Sequence, residues 1–86
     1  MSAVVENVQV YSQAALSHRE IEVLREWLRC ESKVEVARRL YIAQGTVNTH
    51  LVRIRDKYAA AGRPATTKTA LLVRALQDGL ITIEEL

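Results

Sequence analysis

At 86 residues, 49% hydrophobic, 26% charged and with a formal net charge of +2, the chain has room for one small domain and none for a second. Three glycines, one proline and no phenylalanine leave few breaks and argue against a sheet of many short strands, so an all-α domain is expected. A single cysteine, Cys30, excludes an internal disulfide; no apolar run approaches the roughly 18 to 20 residues of a membrane span, and the first residues lack the basic start and apolar core of a signal peptide, so a soluble cytoplasmic protein with no membrane partner is expected.

Residues 1–15 include Val4, Val5, Val8 and Val10 without a capping signal or a helical stripe, and read as a tail or linker. Ser17 followed by Glu20 is a capping box, so a helix should begin at His18, turn Ile21, Val23, Leu24, Trp27 and Leu28 inward, and end near Arg29 or Cys30. Ser32 and Glu35 repeat the box, and a short second helix from Lys33 to about Leu40 should bury Val34, Ala37 and Leu40. After a turn at Tyr41, Ile42 and Ala43, a third helix from about Gln44 to Tyr58 sets Leu51, Ile54 and Tyr58 within about 40° of Val47. Gly62 and Pro64 break the chain, Thr66 or Thr67 caps a fourth helix, and Gly79 offers a left-handed stop. Residues 82–86 read as a C-terminal tail in which Thr82 and Glu85 hint at a further helical start.

The small net charge conceals an asymmetry. Between Val36 and Gln77 stand eight basic side chains (Arg38, Arg39, Arg53, Arg55, Lys57, Arg63, Lys68, Arg74) against Asp56 alone, whereas the rest of the chain holds four basic and nine acidic residues. A local positive field attracts a polyanion whatever the molecular total, and double-stranded DNA is the first candidate partner.

Two helices joined by a short turn, the second with an apolar stripe inward and a small polar face outward, meet the requirements of a helix-turn-helix, although an ordinary helical hairpin would use the same residues. Ala37 would let the next helix cross closely, and Ile42 and Val47 would pin the turn. Measured around the helix axis from Val47, Asn48 falls at about 100°, Val52 at about 140°, Asp56 at about 180°, Thr49 at about 200° and Arg53 at about 240°, all away from the core. Asn48, Thr49 and Val52 carry groups suited to base edges: an amide for adenine, a hydroxyl with its methyl, and an apolar contact for a thymine methyl. Gln44, Gly45 and Thr46 open the helix, where a phosphate meets the positive end of the helix dipole; Thr46 either serves there or caps the helix. Arg53, Arg55 and Lys57 are assigned to phosphates, and Asp56 must lie past the groove or pair with an arginine. His50 is expected at the core edge or against a phosphate.

The fourth helix is apolar around most of its circumference through Ala70, Leu71, Leu72, Val73, Ala75 and Leu76, more than one packed face needs. With Leu72, Val73 and Leu76 given to the core, Leu71, Ala75, Arg74 and Asp78 are left for a two-fold contact between copies.

Leu16 to Leu24, Ser32 to Leu40, and above all Gly45-Thr46-Val47-Asn48-Thr49-His50-Leu51, followed by Ile54, Lys57 and Gly79-Leu80-Ile81, make residues 16–81 similar to the LuxR/GerE-type DNA-binding domain. The resemblance implies a NarL-like response-regulator output domain: a four-helix transcriptional regulator whose third helix enters the major groove, with base contacts falling on Asn48, Thr49 and Val52, and whose fourth helix mediates dimerisation. Asn48 stands where the family very often has Lys, Cys30 where a helix-ending Gly is usual and Tyr41 where a turn Gly is common; both of the latter should take conformations that a side chain tolerates.

No enzyme is expected, because His18 and His50 are the only histidines and neither a glycine-rich phosphate loop nor a metal-ligand spacing is present; no cofactor or metal follows. The rival readings are a sigma-factor-like promoter-reading domain, monomeric and with RNA polymerase as partner, and a helical protein-interaction module that never meets DNA.

Overall fold

A computed structural model describes residues 14–86, so the expected tail lies, apart from Ala14 and Ala15, outside the described residues. Four α-helices follow in order, α1 His18–Arg29, α2 Lys33–Leu40, α3 Gln44–Ala60 and α4 Lys68–Gln77, then a 3₁₀ turn Ile83–Glu85, with no strand among the described residues. The all-α fold class is as expected.

Local chemistry sets most of the boundaries. The Glu20 backbone N–H donates to Ser17 Oγ at 3.1 Å and the Ser17 N–H donates to Glu20 Oε1 at 2.8 Å, closing the capping box of α1. Ser32 caps α2 by accepting from the Glu35 N–H at 3.2 Å, but the box is half made: the Glu35 carboxylate accepts from the Glu31 N–H instead. Thr67, not Thr66, caps α4, accepting from the Ala70 N–H at 3.0 Å. α3 runs two residues past Tyr58, and both α3 and α4 end on a left-handed glycine, Gly62 at φ +74° and Gly79 at φ +71°. There the next N–H folds back across the terminus, Arg63 to the Tyr58 carbonyl and Leu80 to the Ala75 carbonyl, each at 2.9 Å.

Cys30 ends α1 in an extended conformation that any side chain accepts, as expected. Tyr41 does not conform: it ends α2 at φ +56°, in the left-handed region, with its N–H donating to the Ala37 carbonyl and its ring almost wholly exposed. The abrupt reversal that aims α3 needs this backbone, and no glycine is there to supply it.

Val23 and Leu24 of α1, Val36 of α2, Val47, Leu51, Ile54 and Tyr58 of α3, and Leu71 and Ala75 of α4 are all fully buried, with α3 packed against both α1 and α2. Each large apolar side chain so buried contributes about 1.5 to 3 kcal/mol relative to exposure. The inner line of α2 runs through Val36 rather than Val34, which is 51% exposed. Leu40 lies about 40° and Ala37 about 100° from Val36, on its flanks, whereas Val34 lies about 160° away.

The division of α4 differs in part from that expected: Leu72 and Leu76 pack against the core, but Val73 does not. Leu71 and Ala75 face the domain's own core, while Val73 is 44% exposed and Leu72 and Leu76 are partly buried. Asp78 accepts from Tyr58 Oη at 2.9 Å and from the Arg63 guanidinium at 2.7 Å, and Arg74 donates to Gln77 Oε1 and the Pro64 carbonyl. None of the four residues assigned to a two-fold contact is thus left over by its own domain. The reason is that two elements compete for α4: the end of α3 with its loop takes Asp78 and Arg74, and the core takes Leu71 and Ala75.

Residues 82–86 are held rather than loose. The Arg25 guanidinium pairs with the Glu85 carboxylate and donates to the Leu80 carbonyl, and Arg29 Nε donates to the Glu85 carbonyl at 3.0 Å. Thr82 and Glu85 close a capping box of their own.

Candidate nucleic-acid interface

The outward face of α3 begins at an open helix terminus. Its cap residue, Ala43, has no side chain able to accept, and its carbonyl takes the N–H groups of Thr46 and Val47, so the Gln44 and Gly45 amides keep no capping partner; α1, α2 and α4 are all capped by a hydroxyl. Thr46 therefore does not cap the helix. No acidic residue stands in this first turn, so the positive end of the dipole is uncompensated. Gly45 has no positive φ, and a Cβ built on it would meet nothing within 4 Å. Gln44, Gly45 and Thr46 are all exposed.

Asn48, Thr49 and Val52 lie exposed along the next two turns, brought together on one side as the helical period requires. The Thr49 hydroxyl donates to the Gly45 carbonyl at 3.0 Å, which turns its methyl group away from that bond. Val52, 48% exposed, is an apolar group on an otherwise polar surface. Asn48 Oδ1 accepts from Lys33 Nζ of α2 at 2.7 Å. Asp56 is exposed and makes no ion pair among the described residues.

The basic residues divide sharply. Arg53 is exposed and so is Arg38 at the end of α2; neither has a partner among the described residues. Lys57, assigned to phosphate from the sequence, is engaged elsewhere: its ammonium donates to Glu20 Oε1 at 2.7 Å and to the Ala15 carbonyl at 3.2 Å. Burial of Glu20 favours its neutral form, but the Lys57 ammonium and the capping hydrogen bonds outweigh that and hold its carboxyl below the usual range, so the pair is ionised and ties α3 to α1. Arg55 is half-buried with its Nε enclosed and unpartnered, on the flank of α3 rather than its crest. His50 is at the core edge, half-buried, with Nδ1 enclosed and unpartnered.

Arg39 pairs with Glu35 and Glu26, Arg63 with Asp78, and Lys68 donates to the Cys30 carbonyl under the Trp27 ring. These side chains belong to the domain's internal bracing. Lys33, by contrast, stands beside the outward face of α3 through its bond to Asn48 and was not singled out by the sequence, since nothing local ties α2 to that face. Among the described residues no group of three or more His, Cys, Asp or Glu side chains could hold a metal, and no helix is long and apolar enough to cross a membrane. The Cys30 thiol is buried, which pushes its pKa up and keeps it unreactive.

Residues 14–70 match the GerE family model, which describes bacterial regulatory proteins of the luxR family. The match begins at Ala14, whose side chain is already part of the core, and runs into the first turn of α4. No curated protein and no solved structure matches the chain.

Proposed function

This chain belongs to the luxR family of bacterial regulatory proteins, a family of DNA-binding transcription regulators, and from that premise we infer that it binds duplex DNA sequence-specifically with α3 in the major groove. The observation that carries the reading is the outward face of α3: an uncapped, acid-free N-terminus with Gly45 at its opening, then Asn48, Thr49 and Val52 presented to solvent. Backbone amides and a bare glycine suit a phosphate, and a row of short side chains suits base edges. Arg53, next to Val52 on α3, and Arg38, exposed at the end of α2, both without a partner among the described residues, are the proposed side-chain phosphate contacts, together with Gln44, Gly45 and Thr46. Lys57 is not among them.

The same proposal includes a two-fold dimer through α4. The side of α4 away from Leu71 and Ala75 carries the exposed Thr69 and Val73 and the half-buried Leu72 and Leu76, which lie within about 100° of one another. A symmetric dimer carries its two recognition helices to successive groove faces, about 34 Å apart, so its sites are imperfect palindromes.

Selection of bound sequences from a random duplex pool tests both parts. Recovered palindromes with half-sites one turn apart support them, whereas a single asymmetric element favours the monomeric, sigma-factor-like reading. Absence of salt-dependent retention on any duplex favours a protein-interaction module. Arg53→Ala and Arg38→Ala should each weaken binding to all sequences and flatten the slope of log K against log salt by about 0.9 per lost contact. An unchanged slope removes that residue from the interface.

A further inference from the structure

Asn48 does not stand alone on the outward face. Lys33, the first residue of α2, reaches across from the bracing helix so that its ammonium donates to Asn48 Oδ1 at 2.7 Å. The same ammonium lies 6.0 Å from the centre of the Trp27 ring, so α1 helps to hold it. An ammonium has donors and no acceptor, which identifies the carboxamide oxygen as the atom engaged and leaves the amide hydrogens of Asn48 to point elsewhere.

We propose that Lys33 and Asn48 form one base-reading unit that presents hydrogen-bond donors and thereby selects guanine at the base pair it faces; this rests on the reading of α3 as the groove helix. A free asparagine favours adenine because it accepts from N6 and donates to N7 together, whereas guanine offers two acceptors, O6 and N7, on the same edge. With Oδ1 held by a cation, the N6 amino group of adenine meets an ammonium donor where it needs an acceptor. Guanine O6 and N7 receive instead the Asn48 amide hydrogens and the ammonium hydrogens not used on Asn48. Lys33 is in this way a specificity-determining residue supplied by a second helix, 15 positions from the side chain it completes.

The experiment is selection from a random duplex pool with the full chain, with Lys33→Met, with Asn48→Ala and with the double variant, each first shown to unfold cooperatively like the native chain. The pair in question is the one whose preference Asn48→Ala relaxes. The native chain should take guanine there. Lys33→Met should shift that pair alone toward adenine, changing the guanine-to-adenine ratio by roughly tenfold or more, and should have no such effect when Asn48 is already Ala. Native preference for adenine at that pair overturns the proposal, as does a Lys33→Met variant that weakens all sequences equally with its base preference intact, the behaviour of a phosphate contact. If the native chain retains no duplex at low salt, the groove reading of α3 falls and the unit falls with it; recovery of specific sites with an unaltered Lys33→Met preference overturns the unit alone.

Discussion

Tyr41 and Gly45 occupy backbone positions that each would fit less awkwardly if exchanged. Tyr41 sits at φ +56° with its ring 95% exposed, and a side chain in that region costs about 1 kcal/mol relative to glycine. Gly45, four positions on, lies in the first turn of a helix with no positive φ and open space where its Cβ would be, a place where alanine is the better residue by about 0.5 kcal/mol or more. The fold has no use for a missing side chain at Gly45, but a phosphate backbone drawn against the helix terminus would. Tyr41→Gly should therefore raise stability by about 1 kcal/mol in urea unfolding. Gly45→Ala should raise it too, by about 0.5 kcal/mol, while lowering affinity for duplex, so that stability and binding move in opposite directions. A Gly45→Ala variant that binds as tightly as the native chain would show that no backbone approaches there.

Among the elements, the 3₁₀ turn at the end of the described chain depends most on a single ion pair. The Arg25 guanidinium beside it, with the capping N–H of Thr82, holds the Glu85 carboxyl down at about 2, against an ordinary value of 4.5. Because the folded value lies below the unfolded one, the contribution of this pair is complete above about pH 4.5 and is lost as the pH falls toward 2. Glu85→Gln should remove that acid-dependent component: the variant should be less stable than the native chain at pH 7, and the gap should close between about pH 4.5 and pH 2. Hydrogen exchange at Thr82 to Leu86 followed across this range would report it, and the absence of a gap at any pH would mean that Arg25 anchors the turn through the Leu80 carbonyl alone.

At the scale of the molecule, the positive middle of the sequence is less positive at its surface than its composition suggests. Arg39, Lys57, Arg63, Lys68 and Arg74 are engaged by carboxylates, a side-chain amide, backbone carbonyls or an aromatic ring within the domain, which leaves Arg38, Arg53 and the half-buried Arg55 without an ion pair among the described residues. Steering by so few charges makes each one count in the salt dependence. The proposed dimer is subject to the same internal demand. Leu71→Ala should open a cavity and cost about 2 to 5 kcal/mol in the monomer, whereas Val73→Glu should leave monomer stability within about 0.5 kcal/mol and convert cooperative binding of a palindrome into independent binding of half-sites. Cooperativity retained in Val73→Glu, measured by titrating full and half sites, would rule out the α4 dimer.

What the sequence by itself determined is what acts over a few residues. The caps at Ser17 and Ser32, the left-handed stop at Gly79 and the stripe Val47, Leu51, Ile54 and Tyr58 are interactions of three to five positions' range, and they located the helices and the outward face bearing Asn48, Thr49 and Val52. Tertiary structure decided wherever two distant elements competed for one side chain. Lys57 was taken by Glu20, Arg63 and Tyr58 by Asp78, Arg25 by Glu85 and Asn48 by Lys33, across separations of 15 to 60 residues that no periodicity encodes. In α2 and α4, where apolar residues are found on more than one side, periodicity left several inner faces open, and the packing of neighbouring helices chose Val36 over Val34 and Leu71 with Ala75 over Val73. A helix with one apolar face declares its orientation locally, but a helix with two acquires it from whatever it packs against.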